Sequence, residues 1–258
     1  MIATVIIRMR ERDIRLIIRV GLRAESGTLA FESIEIHRRE QVNEMNSHEV
    51  ELFVMPGCPI CPQMERLFKQ LHEEGKLDRL EVVDITRQPE RAQQLGIRSA
   101  PSYLINGVLF SGMKQRGEIE QLLQQNEGEK WRSLLSEELT EGGMETARKA
   151  VLENEAARQA LFDLLEDEET PLVVRIGLSA IIEELAEQGL LEAYQSRLQQ
   201  LAQHPEQRIA LDGLYYLSML HSPEAIETLS RIAEDESHPL HEQARELMQE
   251  QAASDSLH

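Results

Sequence analysis

The chain has 258 residues, of which 41% are hydrophobic and 4% aromatic, and its formal net charge is −19 at pH 7. This length predicts one large or two ordinary domains, and the negative charge excludes nucleic acid and anionic membrane surfaces as general partners. No run approaches the roughly 20 apolar residues of a membrane span, and the first residues lack the order of a signal peptide, so we expect a cytoplasmic protein.

Residues 1–44 form an N-terminal extension of strand-like composition. The runs IRLIIRVGL and TLAFESIEIH flank the turn-like AESG, which predicts a hairpin. The extension carries 8 Arg, no Lys and 7 acidic residues, so it is nearly neutral. Met45 opens the segment MNSHEVELFV, immediately before the first convincing strand. One hypothesis is therefore that Met45 is the biological start and that residues 1–44 are a mis-assigned extension.

Residues 45–126 alternate between strand and helix patterns. Apolar residues at helical spacing predict a helix that begins at Pro62, and Asn106-Gly107 is a type I′ hairpin signal between the last two strands. The order βαβαββα predicts a mixed α/β sheet with a parallel crossover at its start and a hairpin at its end. The predicted strands are 49–55, 80–85, 102–105 and 108–111, and the predicted helices are 62–75, 89–95 and 116–125.

Residues 130–251 follow the polar linker NEGEK and have the pattern of a helical repeat. Pro171, Pro205 and Pro239 are 34 residues apart, and each can begin a helix, where the missing N–H of proline costs nothing. Positions that stay apolar at a fixed period are what stacked helix pairs require. They are Leu164, Leu198 and Ile232, seven residues before the prolines; Ile176, Ala210 and Ala244, five residues after; and Ala180, Leu214 and Met248, nine residues after.

This repeat unit resembles a short bacterial HEAT-type repeat over about 157–251. A tetratricopeptide would also fit the period, but its expected aromatic and glycine positions are absent. Residues 127–258 hold 28 acidic and 10 basic residues, so nearly all of the net charge lies on this helical half. We therefore expect an all-α HEAT-like repeat domain whose acidic surface selects basic or amphipathic partners.

The two cysteines of the chain, Cys58 and Cys61, both lie in the segment CPIC, where a predicted strand gives way to a predicted helix. We expect Cys58 at or just before the first helical turn, with Pro59 setting the helical φ there. A helix N-terminus presents unpaired N–H groups and partial positive charge, which lower a thiol pKa into the range of roughly 3.5–7.5. Cys58 would then attack a substrate disulfide, and Cys61 would resolve the mixed disulfide.

Three other interpretations of the pair are a static disulfide, half of a zinc site and two inert buried cysteines. A static disulfide is disfavoured where thiols are kept reduced. A zinc site requires four ligands, but the chain has no second cysteine pair, and His72 lies three helical turns from Cys61. We therefore predict redox chemistry, with no metal and no cofactor beyond the reversible Cys58–Cys61 disulfide.

Two motifs at their expected separation give residues 49–125 a resemblance to the thioredoxin-fold oxidoreductases. CPICP is closer to the CPYC motif of glutaredoxins and glutaredoxin-like protein disulfide oxidoreductases than to the CGPC of thioredoxin, and GIRSAPSYLING looks like the family's G-V-x-x-x-P-T segment. The resemblance implies that Pro101 is cis, faces the cysteines and lets the backbone near Ala100 pair with a substrate polypeptide. It also implies substrate contacts at Pro59 and Ile60.

The sequence also departs from this family at three positions near the motif. Gly57 precedes the first cysteine where thioredoxins carry tryptophan, and Leu52 replaces the buried aspartate that thioredoxins use for proton transfer. Val82 stands near the position of their partner lysine. These departures argue against a general thioredoxin and leave the proton acceptor unassigned; Glu65, on the same helix, is one candidate, and an exposed carboxylate is the simpler interpretation.

Two functions of different classes follow from the sequence. In the first, an α/β thioredoxin-like domain at 45–126 is a thiol–disulfide oxidoreductase for protein disulfides, and an all-α HEAT-like repeat domain at 130–251 docks the substrates. Its partners would be disulfide-bearing proteins and a reducing system, either thioredoxin reductase or glutathione. In the second, the protein is a redox-inactive, chaperone-like adaptor that uses the same fold for recognition. The presence of both cysteines favours the first, because an adaptor has no need of the pair.

Overall fold

The computed structural model describes residues 2–8, 15–25, 28–38 and 48–255, and its first three strands form a sheet of their own. Strands β1 (Ile2–Arg8), β2 (Arg15–Glu25) and β3 (Thr28–Arg38) pair antiparallel in the order β1-β2-β3. The predicted hairpin is thus confirmed as β2–β3, while β1 was not predicted. The hypothesis about Met45 falls outside the described residues.

A second sheet of four strands, with the helices that follow its strands, occupies the region around the cysteines. Every predicted element is confirmed to within two residues at each end. The elements are β4 (Glu49–Val54), α1 (Cys61–Glu73), β5 (Arg79–Asp84), α2 (Pro89–Gln94), β6 (Ser102–Ile105), β7 (Val108–Ser111) and α3 (Arg116–Gln124). Their strand order is β5-β4-β6-β7, with β4 parallel to β5 and antiparallel to β6, so the sheet is mixed as expected.

The core of this sheet includes β4, which is one of its two inner strands. Leu52 is paired with Val82 on β5 and with Tyr103 on β6, and its side chain is fully buried. The ring of Phe68 on α1 lies 5.2 Å from the ring of Tyr103, centroid to centroid. Because aromatic side chains bury much apolar area, this contact anchors the helix that carries Cys61 onto the sheet.

The chain separates into two compact units between residues 106 and 114: residues 111–113 belong with the first, and residues 107–110 belong with the second together with everything from residue 114 onward. From residue 127 to residue 255 the structure is helical. Its elements are α4 (Glu127–Glu141), α5 (Met144–Glu153), α6 (Glu155–Glu166), α7 (Leu172–Glu187), a 3-10 turn (Glu192–Tyr194), α8 (Gln195–Leu201), α9 (Gln207–Ser218), α10 (Pro223–Glu234) and α11 (His241–Asp255). Among the described residues, none of the helices has the length and apolarity that crossing a membrane requires.

The three periodic prolines lie between helices instead of beginning them, which corrects the predicted position. Pro171 is the N-cap of α7, and Pro205 and Pro239 each stand two residues before the first residue of the next helix. The fixed φ and missing N–H of proline suit this position equally well, because the residue leads the chain into the helix without entering its hydrogen-bond ladder. The period of 34 residues therefore marks the connections between paired helices.

Burial follows the period at some positions and departs from it at others. The residues seven before the prolines are all buried, and so are Ala210, Ala244 and Leu214 after them. By contrast, Ile176 is 62% exposed and Ala180 is also exposed, so the prediction that both lie in the core was wrong, and Met248 is only half-buried. Helix α7 is apolar on more than one side, and periodicity alone could not tell which side would be covered.

Candidate active site

A tight turn connects β4 to the cysteines. The Cys58 N–H donates to the Met55 carbonyl oxygen at 3.3 Å, and Pro56 and Gly57 are the two central residues of this turn. Gly57 has a φ of +81°, a conformation that only glycine adopts at no cost. Proline followed by a glycine with positive φ is the pattern of a type II turn. The turn explains why glycine stands immediately before Cys58.

Cys58 and Cys61 form a disulfide, with 5.5 Å between their Cα atoms. Cys61 is 4% exposed, whereas Cys58 is half-buried, so a second sulfur approaching from solvent reaches Cys58 first. The Cys61 N–H donates to the Cys58 Sγ at 3.0 Å. Of the two sulfurs, that of Cys58 is therefore the more accessible.

Helix α1 begins at Cys61, so its N-terminal N–H groups point toward Cys58. Ile60 is the N-cap, and the first turn contains no acidic residue. The partial positive charge of the helix terminus therefore acts on the Cys58 sulfur without a competing carboxylate from that turn, which favours the thiolate once the pair is reduced. Cys58 itself lies three residues before the first helical residue. The prediction that Pro59 sets the first helical turn was wrong, since Pro62 is the proline in that turn.

The loop that precedes β6 brings a second element to the cysteines. The peptide bond between Ala100 and Pro101 is cis, as the family resemblance implied. The Ala100 carbonyl oxygen lies 3.4 Å from the Cys58 Sγ. Pro101 is buried and Ala100 half-buried, and the Ser102 hydroxyl donates to the Ser99 carbonyl oxygen at 2.8 Å, which closes the loop upon itself. Ala100 and Cys58, which are 42 residues apart in sequence, are thereby neighbours.

Apolar residues stand next to the cysteines in the sequence and after β7. Pro59 is exposed and Ile60 is half-buried, and their contact with a substrate stays a prediction. Met55 and Met113 are also exposed, at 42% and 41%, and sequence reasoning missed both. The Gly112 N–H donates to the Pro101 carbonyl oxygen at 2.9 Å, which holds the residues after β7 beside the cis-proline loop. In the sequence, the one sign of where Met113 lies is the predicted hairpin of the last two strands, which it follows.

No acidic side chain is buried beneath the cysteines in the described part of the chain. Leu52 and Val82, which stand where thioredoxins would carry an aspartate and a lysine, are register partners on adjacent strands. Glu65, the candidate proton acceptor, is half-buried and accepts a hydrogen bond from Lys69 at 2.6 Å. This contact is with the same helix, and the proton acceptor for Cys61 stays unassigned.

The described residues do not surround the cysteines with further metal ligands. Within residues 48–255, no three histidine, cysteine, aspartate or glutamate side chains converge as a metal site would require. His72, the histidine weighed as a ligand, has its Nδ1 2.9 Å from the Leu77 carbonyl oxygen. It therefore takes part in the connection after α1 and not in a site with Cys61.

Comparison with known proteins places this segment in a family. A family model described as a thioredoxin domain matches residues 48–124. A thioredoxin of Methanocaldococcus jannaschii is 33% identical over 70 residues, which cover 26% of this chain and 82% of that protein. A probable thioredoxin of Archaeoglobus fulgidus is 33% identical over 81 residues, 31% of this chain and 89% of the relative. A probable thioredoxin of Methanothermobacter thermautotrophicus is 34% identical over 73 residues, which cover 27% of this chain and 85% of that protein.

The family model covers the four-stranded sheet, the cysteine pair and the cis-proline loop together, and the matches to the relatives span most of the length of each relative. A half-buried cysteine that a second sulfur can reach, with a buried partner cysteine at a helix N-terminus, is the arrangement that disulfide exchange uses, and the Ala100 carbonyl before the cis-proline lies beside it. The chain belongs to the thioredoxin family, and it is a thiol–disulfide oxidoreductase.

Proposed function

We propose that the protein reduces disulfides in other proteins through Cys58 and Cys61. The Cys58 thiolate attacks one sulfur of a substrate disulfide, forms a mixed disulfide and releases the other substrate sulfur as a thiolate. Cys61 then loses its proton to solvent and attacks the Cys58 sulfur, which frees the second substrate sulfur and leaves the Cys58–Cys61 disulfide. The observation that carries this proposal is the Cys61 N–H directed at the Sγ of the more exposed cysteine at 3.0 Å.

Substrate polypeptide is proposed to lie across the cis-proline loop and the apolar rim of the site. Pro59 and Ile60 would contact its side chains, while the backbone at Ala100 and Pro101 would align the strand that carries the disulfide. The half-buried position of Ala100, 3.4 Å from the reactive sulfur through its carbonyl oxygen, supports this arrangement. An extended segment held there would bring its own sulfur in line with Cys58.

Reduction is the proposed direction, with thioredoxin reductase or glutathione as the electron donor and no cofactor beyond the cysteine pair. A cytoplasmic setting would keep the pair reduced and would drive the exchange in this direction. The glutaredoxin-like CPIC motif is compatible with either electron donor. Supplying each donor separately, with NADPH consumption as the readout, identifies the one that recycles the disulfide.

We also propose that the thioredoxin-like domain spans 45–126, that residues 1–44 are a separate extension, and that residues 130–251 form a HEAT-like repeat domain for docking substrates. The family match at 48–124 supports the first boundary, although the compact units divide nearer residue 106. Paired helices joined at prolines 34 residues apart, with buried residues at the same position of each pair, support the repeat.

The activity is tested with the full chain and an insulin-type protein disulfide. Wild type should reduce it, Cys58→Ser should be inactive, and Cys61→Ser should accumulate mixed disulfides with substrate because nothing resolves them. The double variant Cys58→Ser/Cys61→Ser is the control for the trap and should capture nothing. If wild type turns over no faster than Cys58→Ser and Cys61→Ser traps no protein, the redox-inactive adaptor is the better description.

A further inference from the structure

Helix α7 is apolar on the side that packs into the helical half and also on the side that faces solvent. Val174, Leu178 and Ile181 are buried, as expected for a core helix. On the opposite side, Leu172 is 66% exposed and Ile176 is 62% exposed. A helix that is apolar all round is normally covered all round, so one side of α7 lacks its cover.

The exposed side of α7 continues onto the neighbouring helix α9. The two helices are held together by an ion pair between the buried Arg175 and the half-buried Asp212, 2.5 Å apart, and by a hydrogen bond between the Ser179 and Tyr216 hydroxyls at 2.6 Å. Two further apolar residues of α9 are 40% exposed beside them. Together these residues define the α7–α9 face, which consists of Leu172, Val173, Ile176, Ala180, Leu211 and Tyr215.

Acidic side chains flank the α7–α9 face. Glu183 lies three residues after Ala180, and Glu187 lies four residues after Glu183; both continue the same line along α7, and both are exposed. The Tyr215 hydroxyl donates to Glu183 at 3.2 Å, which places that carboxylate at the edge of the apolar residues. Burial and the negative charges of Glu183 and Glu250 all raise the pKa of Tyr215, so carboxylates of α7 and α11 both act on the face.

The basic residues nearest to the α7–α9 face are engaged with acids. Arg175 is buried against Asp212. Arg208, in the first turn of α9, lies 3.8 Å from the Glu206 carboxylate and donates to the Glu168 carbonyl oxygen at 2.9 Å. The free charge around the apolar residues is therefore negative, and a neutral or acidic partner would meet repulsion or gain nothing from it.

We propose that the α7–α9 face is the docking surface for a basic amphipathic segment of the substrate protein. The apolar side of such a segment would cover Leu172 and Ile176, and its lysines and arginines would meet Glu183 and Glu187. A second copy of this chain would instead bring like charges together. The proposal rests on the proposed function, because it names the class of protein whose disulfide the enzyme reduces.

The binding test uses the full-length oxidised protein and a fluorescein-labelled synthetic helix of about 18 residues with leucine on one side and lysine on the other. Fluorescence anisotropy should show saturable binding of this peptide that weakens with salt. A peptide with glutamate in place of lysine should bind at least about tenfold more weakly, since only the charge differs.

Matched variants separate the two components of the surface. Leu172→Ser with Ile176→Ser should weaken binding of the lysine peptide by about tenfold, whereas Ile226→Ser on α10, which removes an exposed isoleucine elsewhere, should change it by less than about twofold. Glu183→Gln with Glu187→Gln should abolish most of the salt dependence. The exposed pair Glu227→Gln with Glu234→Gln on α10 is its control.

Three results would overturn the proposal: equal binding of the lysine and glutamate peptides, equal loss in the face and control variants, or, at neutral pH and moderate salt, a dimer in light scattering that Ile176→Ser dissociates. The last result would mean that a second copy covers the face. Binding is measured without turnover, so the two proposals fail separately. A protein that binds the peptide but reduces no disulfide refutes the proposed function alone, and one that reduces disulfides but binds no peptide refutes the docking surface alone.

Discussion

Replacing Gln63 with glutamate should weaken the Cys58 thiolate while leaving the fold intact. Gln63 is exposed in the first turn of α1, a turn that contains no acidic residue. An acid there stabilises a helix by interacting with its N-terminal N–H groups, typically by about 0.3–1 kcal/mol. The same negative charge repels a thiolate at the helix N-terminus. The two effects have opposite signs, so stability and reactivity should change in opposite directions.

The size of the effect follows from the position of the new charge. Cys61, whose N–H contacts the Cys58 sulfur, is two residues before Gln63, which is a rise of about 3 Å along the helix. With the N–H to sulfur contact and the length of the glutamate side chain added, the carboxylate would lie roughly 8 Å from the sulfur. Coulomb's law gives between about 0.5 and 2 kcal/mol at that distance, depending on the effective dielectric. Salt screens an exposed charge toward the lower end, so we expect the pKa of Cys58 to rise by about half a unit.

The assay is the rate of iodoacetamide alkylation of the reduced protein as a function of pH. Cys61 is nearly buried, so the fast phase reports Cys58. The matched control is Gln70→Glu, the same substitution at an exposed position near the other end of α1, which should leave the profile in place. If Gln63→Glu leaves the profile unchanged, or if Gln70→Glu shifts it equally, the helix terminus does not set the reactivity of Cys58.

Three further predictions concern the core and the helical half. Leu52→Asp should lower the free energy of unfolding by about 3 kcal/mol or more, because it buries an unpaired carboxylate, and urea titration should show a larger loss at pH 8 than at pH 5. Gly213→Ala should lower the free energy of unfolding by about 1–3 kcal/mol, because the new Cβ would lie 2.4 Å from the Ala202 backbone nitrogen. The control Gly128→Ala, whose Cβ would meet nothing closer than 3.5 Å, should be neutral or stabilising, and equal effects of the two substitutions would contradict this packing. Burial, followed by the charge of Glu137, raises the pKa of Glu138, so the stability that this group contributes is lost as pH rises through its folded pKa. Glu138→Gln should therefore stabilise the protein at pH 7 and not at pH 4, and an unchanged melting temperature at pH 7 would refute this prediction.

The elements around the cysteines could be predicted because their signals are local. The alternation of strands and helices, the Asn106-Gly107 turn and the CPIC segment each specify structure within a few residues, and Asn106 and Gly107 both have the positive φ that the predicted turn needs. The first turn of helix α1 was harder to predict, because Pro59 and Pro62 could each stand at the start of a helix. Pro62 is the one in the helix, because the turn at Gly57 places Cys58 three residues before the first helical residue.

The missed features depend on which parts of the chain come together. Strand β1 was not predicted because its seven residues carry no turn signal and gain their structure from pairing with β2. The residues after β7 lie beside the cis-proline loop because the Gly112 N–H donates to the Pro101 carbonyl oxygen, a contact that no spacing in the sequence reveals. The apolar residues of α7 fit the helical period, but the period cannot say whether another element covers Ile176.

The exposed apolar residues of α7 also bear on how the molecule behaves in concentrated solution. An isoleucine and a leucine open to solvent on one helix would ordinarily promote association between molecules. Carboxylates around them keep two copies apart at neutral pH and moderate salt, so the acids act as a solubility device. That protection disappears when they are protonated or screened. Acidic buffers and high salt should therefore make the purified protein self-associate through this helix.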